Sequence, residues 1–129
     1  MAKKELMYKG FLEEEVKKMS SQEFSKITNS RARRTIKKGF NIAEIALLKK
    51  IETGKNNVKT HARDMIVIPS MVGKTIKVHS GKEFIDVICD FEKLGHRLGE
   101  FVMTRKPVKH SAAGIGSTKS SKNATVGAK

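Results

Sequence analysis

The chain has 129 residues, a length that suits one domain with room for a tail, and its 27 Lys and Arg against 13 Asp and Glu give a net charge of +14. This basic excess indicates a polyanionic partner, and it favours nucleic acid over an anionic membrane because there is no Trp and the cations are spread along the whole chain. The single cysteine, Cys89, excludes an internal disulfide and a thiolate zinc site, and the lack of an apolar leader leads us to expect a cytoplasmic protein.

The chain begins with a short basic arm over residues 1–10. The ring of Tyr8 is expected to anchor this arm to the body, because buried aromatic side chains dominate local packing. Leu12, Val16 and Met19 then recur at helical spacing. This recurrence predicts a short amphipathic helix directly after the arm.

A second short helix and a basic helix follow. Ser20, with Glu23 three residues later, has the pattern of a capping box that opens a helix. In residues 31–38 five of eight positions are Arg or Lys and none is acidic, and Gly39 follows as a residue that can end the helix. A solvated helix usually carries acids as well, so we interpret this one as a phosphate-contacting element.

The fourth predicted helix has the strongest pattern in the chain. Asn41 and Glu44 form another capping box, and Gly54 stands where the helix should end. Apolar residues line one face at helical spacing, and we expect this face to be buried: Ile42, Ile45, Leu48 and Ile51.

From residue 55 the pattern changes from helical to strand period. Residues 55–59 are interpreted as a polar linker. The apolar run 65–68 is stopped by Pro69 and predicts a strand, and residues 74–78 and 83–89 predict two more. Ser-Gly at the turn between the last two indicates a hairpin, so the sequence predicts a small three-stranded sheet.

The alternation within these strands predicts which side chains face inward. Ile76 and Val78 are expected to be buried, with Phe84, Val87 and Ile88 as core candidates on the returning strand. The tip of the hairpin carries polar groups: His79, Ser80 and Lys82.

After the sheet, residues 95–105 read G-H-R-L-G-E-F-V-M-T-R. The glycines of this segment permit close backbone approach, and its Arg and His side chains offer donors to phosphate oxygens. We interpret it as an irregular platform against folded RNA, anchored by Leu98 and Phe101. Pro107 follows, and residues 106–129 contain five lysines and no acid, so this tail is predicted to be disordered or extended.

Patterns typical of catalysis are weak. Gly73-Lys74-Thr75 is similar to the end of a phosphate-binding loop, but Ile68 occupies the position of the required upstream glycine. The four histidines lack metal-ligand spacing, and no nucleophile-elbow context is present. We therefore expect no enzyme, cofactor or metal site. A basic DNA-architectural protein is the alternative to a structured-RNA protein, which is favoured because basic groups on arm, helix, hairpin and tail suit an irregular RNA surface.

Motifs spread over residues 59–116 resemble those of one known family. They are Thr60-x-x-Arg63, Ile68-Pro69-x-Met71-Val72-Gly73, Val78-x-x-Gly81-Lys82, Phe84-x-x-Val87, Gly95-His96-x-Leu98-Gly99-Glu100-Phe101-x-x-Thr104-Arg105 and His110. This set resembles the universal ribosomal protein family called S-nineteen in bacteria and S-fifteen in eukaryotes. The front end, with Tyr8-Lys9-Gly10 and Arg31-x-Arg33-Arg34, resembles the archaeal and eukaryotic branch.

The resemblance implies an α+β fold with a three-stranded sheet and a place in the head of the small ribosomal subunit. It implies binding to small-subunit rRNA, a neighbouring head protein called S-thirteen as partner, and a tail that approaches the decoding region and its tRNA. The expected segments are an arm over 1–10, a helical segment over 11–54, an rRNA-binding core over 55–105 and a basic tail over 106–129. The rRNA-binding residues that we predict are Arg31, Arg33, Arg34, Arg63, Lys74, Lys82, His96, Arg97, Thr104, Arg105, Lys109 and His110.

Overall fold

The structure, a computed structural model, describes residues 6–55 and 57–108. Four helices are followed by a three-stranded sheet, which confirms the predicted α+β class. The helices are α1 (Glu13–Lys18), α2 (Ser21–Ile27), α3 (Ser30–Lys38) and α4 (Ile42–Glu52). The strands are β1 (Met7–Tyr8), β2 (Phe11–Leu12), β3 (Val58–Thr60), β4 (Thr75–His79) and β5 (Phe84–Ile88). Short 3₁₀ helices occupy Pro69–Met71, Phe91–Lys93 and Leu98–Phe101.

Tyr8 anchors the front of the chain, as predicted. Strands β1 and β2 form a small antiparallel hairpin. From it the Tyr8 ring stacks on Phe24 at 5.7 Å between centroids and meets Phe91 edge-on at 6.4 Å. Its hydroxyl lies 3.3 Å from the hydroxyl of Thr28. Residues 1–5 of the predicted arm lie outside the described residues.

Both predicted capping boxes are formed. The backbone N–H of Ser20 donates to the Glu23 carboxylate at 2.8 Å, and the Ser20 hydroxyl accepts from the N–H of Glu23. The N–H of Asn41 donates to Glu44 in the same way, also at 2.8 Å. Each box satisfies an N–H that the first turn of a helix leaves without a partner.

The buried face of α4 differs in part from the prediction: Ile51 is buried and Leu48 packs against the core as expected, but Ile42 and Ile45 do not. Glu44, Leu47 and Ile51 are buried, whereas Ile42 is 83% exposed and Ile45 is 41% exposed. The helix carries apolar residues on more than one face, so spacing alone allowed two orientations. The structure turns Glu44 inward, where its carboxylate accepts the capping hydrogen bond, and Leu47 and Ile51 on the same side enter the core.

The three-stranded sheet has the order β3-β4-β5, with β3 parallel and β5 antiparallel to β4. The prediction of residues 65–68 as a strand is wrong, and the third strand lies instead in β3, partly within the predicted linker. The run 65–68 is extended and buried throughout, and it bonds the segment after the sheet through one isolated bridge between Ile66 and Arg97. A continuous apolar run marks burial on all sides, while three alternating residues are too short to signal a strand.

Strand alternation decides which residues of the hairpin face the core. Ile76 and Val78 are fully buried and Val87 is 3% exposed, as predicted. Ile88 is 55% exposed, and Phe84 is paired with His79 in the register that places both on the opposite face. Phe84 and Ile88 are therefore wrong as core residues.

One apolar core joins the helices to the sheet. It extends from Val16 of α1 to Val102 after the last 3₁₀ helix, and it includes Cys89. Burial raises the pKa of the Cys89 thiol to about 11. In residues 6–55 and 57–108, no helix has the length and apolar character needed to cross a membrane.

Candidate nucleic-acid interface

Helix α3 presents a row of cations to solvent. Its buried residues are Ala32 and Ile36, so the remaining positions place their basic side chains outward: Arg31, Arg34, Lys37 and Lys38. Within the described part of the chain, none of these four groups has an acidic partner within ion-pair distance. The helix thus carries a positive face whose cations make no ion pair with the described residues, which we call the α3 basic face.

A shallow concavity of about 520 Å³ runs along this helix, lined by Ser30, Arg33, Arg34, Lys37 and Lys38. Positive groups along a concave surface raise the local concentration of anions. Lys37 and Lys38 belong to the predicted phosphate-contacting stretch 31–38, but they were not named individually as rRNA-binding residues, although they lie three and four residues after Arg34 on the same side of the helix.

Arg33 lines the concavity but directs its guanidinium inward. It donates to the carbonyls of Ser25 at 3.1 Å, Lys26 at 3.3 Å and Thr28 at 3.1 Å. These carbonyls belong to the end of α2, where a cation satisfies acceptors that the helix leaves open. Arg33 therefore fixes α3 against α2, and its contact with RNA stays a prediction.

The predicted platform lies beside the start of α3. Its backbone follows the buried run 65–68: the N–H of Val67 donates to the carbonyl of His96 at 2.9 Å, and the N–H of Leu98 donates to that of Met65 at 2.9 Å. Leu98 is fully buried and Phe101 is half-buried, as expected of its anchors. The platform is thus held by the core and is not a free loop.

Two exposed polar pairs mark the outer side of this platform. Nδ1 of His96 lies 2.8 Å from Oε2 of Glu100, and this hydrogen bond is the main reason that the pKa of Glu100 is below its ordinary value. Arg97 donates to Asp64 at 2.8 Å. A small cleft of about 70 Å³ joins these groups to the start of α3, where Arg31 and Asn29 form its other wall. The structure therefore brings Arg31, His96 and Arg97 together.

Two other predicted residues direct their charge into the molecule. The Arg63 guanidinium donates to the carbonyls of His79 at 2.6 Å, Gly99 at 3.0 Å and Val102 at 2.6 Å, and so ties the hairpin to the platform. The Lys74 ammonium donates to the carbonyl of Ile51 at the end of α4 at 2.8 Å. Both side chains therefore have partners within the fold, and an RNA contact for either stays a prediction.

A second basic group lies at the hairpin tip. Lys82, Thr104 and Arg105 are exposed. Lys106 bonds Glu83 at 3.2 Å, which brings the chain after the platform next to the tip. The predicted residues Lys109 and His110 lie outside the described residues.

Comparison with known proteins gives a consistent result. The model of the family described as Ribosomal protein S19 matches residues 34–110. The small ribosomal subunit protein uS19 of Thermoplasma acidophilum is 47% identical over 119 residues, which covers 92% of this chain and 79% of that protein. The protein of the same name from Thermoplasma volcanium is 45% identical over the same shares of both chains.

Proposed function

This chain belongs to the ribosomal protein S19 family, of the archaeal type, and from that premise we propose how it binds RNA. It is a protein of the small ribosomal subunit, located in ribosomes in the cytoplasm, and it is structural and not enzymatic. We propose that the α3 basic face and the neighbouring platform bind phosphates of small-subunit rRNA.

The observation that carries this proposal is the α3 basic face. Four cations stand outward from one short helix, and none is within ion-pair distance of an acid among the described residues. Such a row of like charges costs free energy through self-repulsion unless an anion lies against it. The cleft with Arg31, His96 and Arg97 continues the same surface. Such a broad, irregular surface suits a folded RNA better than a single groove of duplex DNA.

The hairpin tip is the second part of the proposed interface. Lys82, Thr104 and Arg105 are exposed there and can reach phosphates from solvent. We propose that residues 55–105 form the rRNA-binding core and that residues 106–129, including Lys109 and His110, extend the contact as a basic tail.

The finer placement rests on the family resemblance. We propose that the protein lies in the head of the small subunit beside the neighbouring head protein S-thirteen. The tail would approach the decoding region and its tRNA. The large positive charge of the chain supports a location surrounded by nucleic acid.

The test is a salt titration of binding to folded small-subunit rRNA. Wild type is expected to show a steep fall of affinity with salt, and a triple variant with Arg34→Gln, Lys37→Gln and Lys38→Gln should lower the slope by roughly one for each phosphate that the variant no longer neutralises. The matched control removes three exposed lysines elsewhere: Lys18→Gln, Lys26→Gln and Lys50→Gln. An equal weakening of binding in both triple variants would show that only net charge matters and would defeat the proposed interface.

A competition experiment addresses the alternative of a DNA-architectural protein. Duplex DNA is expected to displace the protein from rRNA far less effectively than unlabelled rRNA does, because the interface fits a folded RNA shape. Equal displacement by both nucleic acids would favour the alternative.

A further inference from the structure

Glu100 is a carboxylate within an otherwise cationic part of the proposed interface. Its Oε2 lies 2.8 Å from Nδ1 of His96, and Arg31 and Arg97 line the same cleft. Its side chain is 46% exposed, so burial does not hide its charge. A free carboxylate here would repel the phosphates that the surrounding cations attract. Its place in the cleft therefore calls for a role other than direct phosphate contact.

The hydrogen bond at Nδ1 decides what the outer nitrogen of His96 can do. When Nδ1–H donates to a carboxylate and the ring is neutral, Nε2 has no proton and can only accept. When the ring is charged, Nε2–H becomes a donor. Phosphate oxygens only accept hydrogen bonds at neutral pH, so His96 bonds a phosphate only in its charged form.

The groups around the His96 ring act in opposite directions on its charge. Glu100 is the one acid in hydrogen-bond contact with the ring among the described residues. The other charged or titratable groups near it come from α3, the platform, the preceding 3₁₀ helix, the turn before residue 65 and the front hairpin: Arg31, Arg97, Lys93, Asp64 and Tyr8. Arg97 is paired with Asp64 and Lys93 with Asp90, so the negative charges of these two acids are directed to other groups. Glu100 is thus the acid placed to pair with a charged ring.

We infer that Glu100 is a positioning residue for RNA binding, which holds the His96 ring in one orientation and pairs with the imidazolium when Nε2–H donates to an rRNA phosphate beside α3. This inference rests on the proposed function, because it assumes that the cleft faces rRNA. The edge of Phe101, 6.0 Å from the His96 ring centroid, supports the same ring orientation from the platform side.

The decisive variant is Glu100→Gln, compared with Glu14→Gln on α1. Glu14 is exposed, so both variants remove one negative charge from a basic protein. If charge alone acted, both would bind rRNA more tightly. We expect Glu14→Gln to bind as tightly as wild type or more so, and Glu100→Gln to bind about two- to fivefold more weakly at pH 7, the range for an exposed ion pair. His96→Gln should weaken binding by the same factor, and the double variant should bind no more weakly than either single variant.

A second readout is the pH dependence of rRNA binding. Wild-type affinity for rRNA should fall between about pH 5 and 8, because only an imidazolium donates hydrogen bonds from both ring nitrogens. This fall should be smaller in Glu100→Gln and should disappear in His96→Gln.

The outcomes separate the inference from the function on which it rests. If wild type and Glu14→Gln bind rRNA while Glu100→Gln binds as tightly as Glu14→Gln, or if Glu100→Gln and Glu14→Gln show the same pH dependence of binding, the inference is overturned and the proposed function stands. If wild type does not bind folded rRNA, both are overturned. Circular dichroism of each variant confirms that the comparison is made between folded proteins.

Discussion

Gly95 lies where the backbone of the platform passes directly over two side chains from the front of the chain. A Cβ at this position would lie 2.7 Å from the Tyr8 hydroxyl oxygen and 2.9 Å from the hydroxyl oxygen of Thr28, and its φ is +78°. Gly54, after α4, has a similar φ of +75° but no atom within 4 Å of its Cβ position. Both glycines therefore have a left-handed backbone conformation, but only Gly54 has free space for a Cβ atom.

This difference can be measured by replacing each glycine with alanine. Gly54→Ala should lower the free energy of unfolding by about 1–2 kcal/mol, the cost of a left-handed conformation for a side chain with a Cβ. Gly95→Ala should cost about 2–4 kcal/mol, because displacing Tyr8 and Thr28 adds an overpacking term. Urea denaturation of both variants gives the comparison. Equal destabilisation would mean that Tyr8 does not pack under the platform.

Cys89 offers a second test at the scale of one residue. Burial raises the pKa of its thiol to about 11, so the reactive thiolate is scarce near neutral pH. A raised pKa favours folding below the ordinary thiol value, and this contribution is lost as pH rises toward the folded value. At pH 8, alkylation by iodoacetamide should be about a hundredfold slower in the folded protein than in urea. Similar rates in both states would show that Cys89 is not in the core.

At the scale of elements, α4 shows that a sequence pattern can predict a helix without predicting which of its faces is buried. Both capping boxes and all four helices were predictable, because caps and breakers act over three or four residues. The orientation of α4 was not, because apolar residues lie on more than one of its faces and the choice depends on what packs against it. The same holds for β3, whose three residues become a strand only through pairing with β4.

The orientation of α4 predicts unequal effects of two similar substitutions. Leu47 is 2% exposed and Ile42 is 83% exposed. Leu47→Ala should lower the free energy of unfolding by about 2–4 kcal/mol because it removes buried apolar surface and leaves a residual cavity. Ile42→Ala should change it by less than about 0.5 kcal/mol. Thermal denaturation of the isolated protein measures both effects. A larger destabilisation by Ile42→Ala would show that Ile42 is on the buried face of α4, as its spacing in the sequence indicated.

The binding residues were only partly readable from sequence. Charge and motif marked Arg31, His96 and Arg97, which the fold brings to one cleft. The same signals also marked Arg33 and Arg63, whose guanidinium groups bond backbone carbonyls within the fold. An arginine that braces a turn and one that meets a phosphate look alike in sequence, because both supply the same donors. Only three-dimensional structure distinguishes their surroundings.

At the scale of the whole molecule, one small core carries a large positive charge. The helices and the sheet share this core, and their cations stand outward on the α3 basic face and at the hairpin tip. Self-repulsion lowers the stability of such a molecule in isolation, and an anionic partner that binds only the folded form restores it. We therefore expect the midpoint of thermal unfolding to rise when folded rRNA is added.

The central claim is that the outward cations of α3 and the hairpin tip lie against rRNA in the small subunit. The most direct measurement is a protein–RNA crosslinking map of assembled small ribosomal subunits that contain this chain. Crosslinks to small-subunit rRNA are expected at Lys37, Lys38 and Lys82. Recovery of the chain outside the small subunit, or crosslinks at Lys37, Lys38 and Lys82 to proteins alone, would contradict the claim.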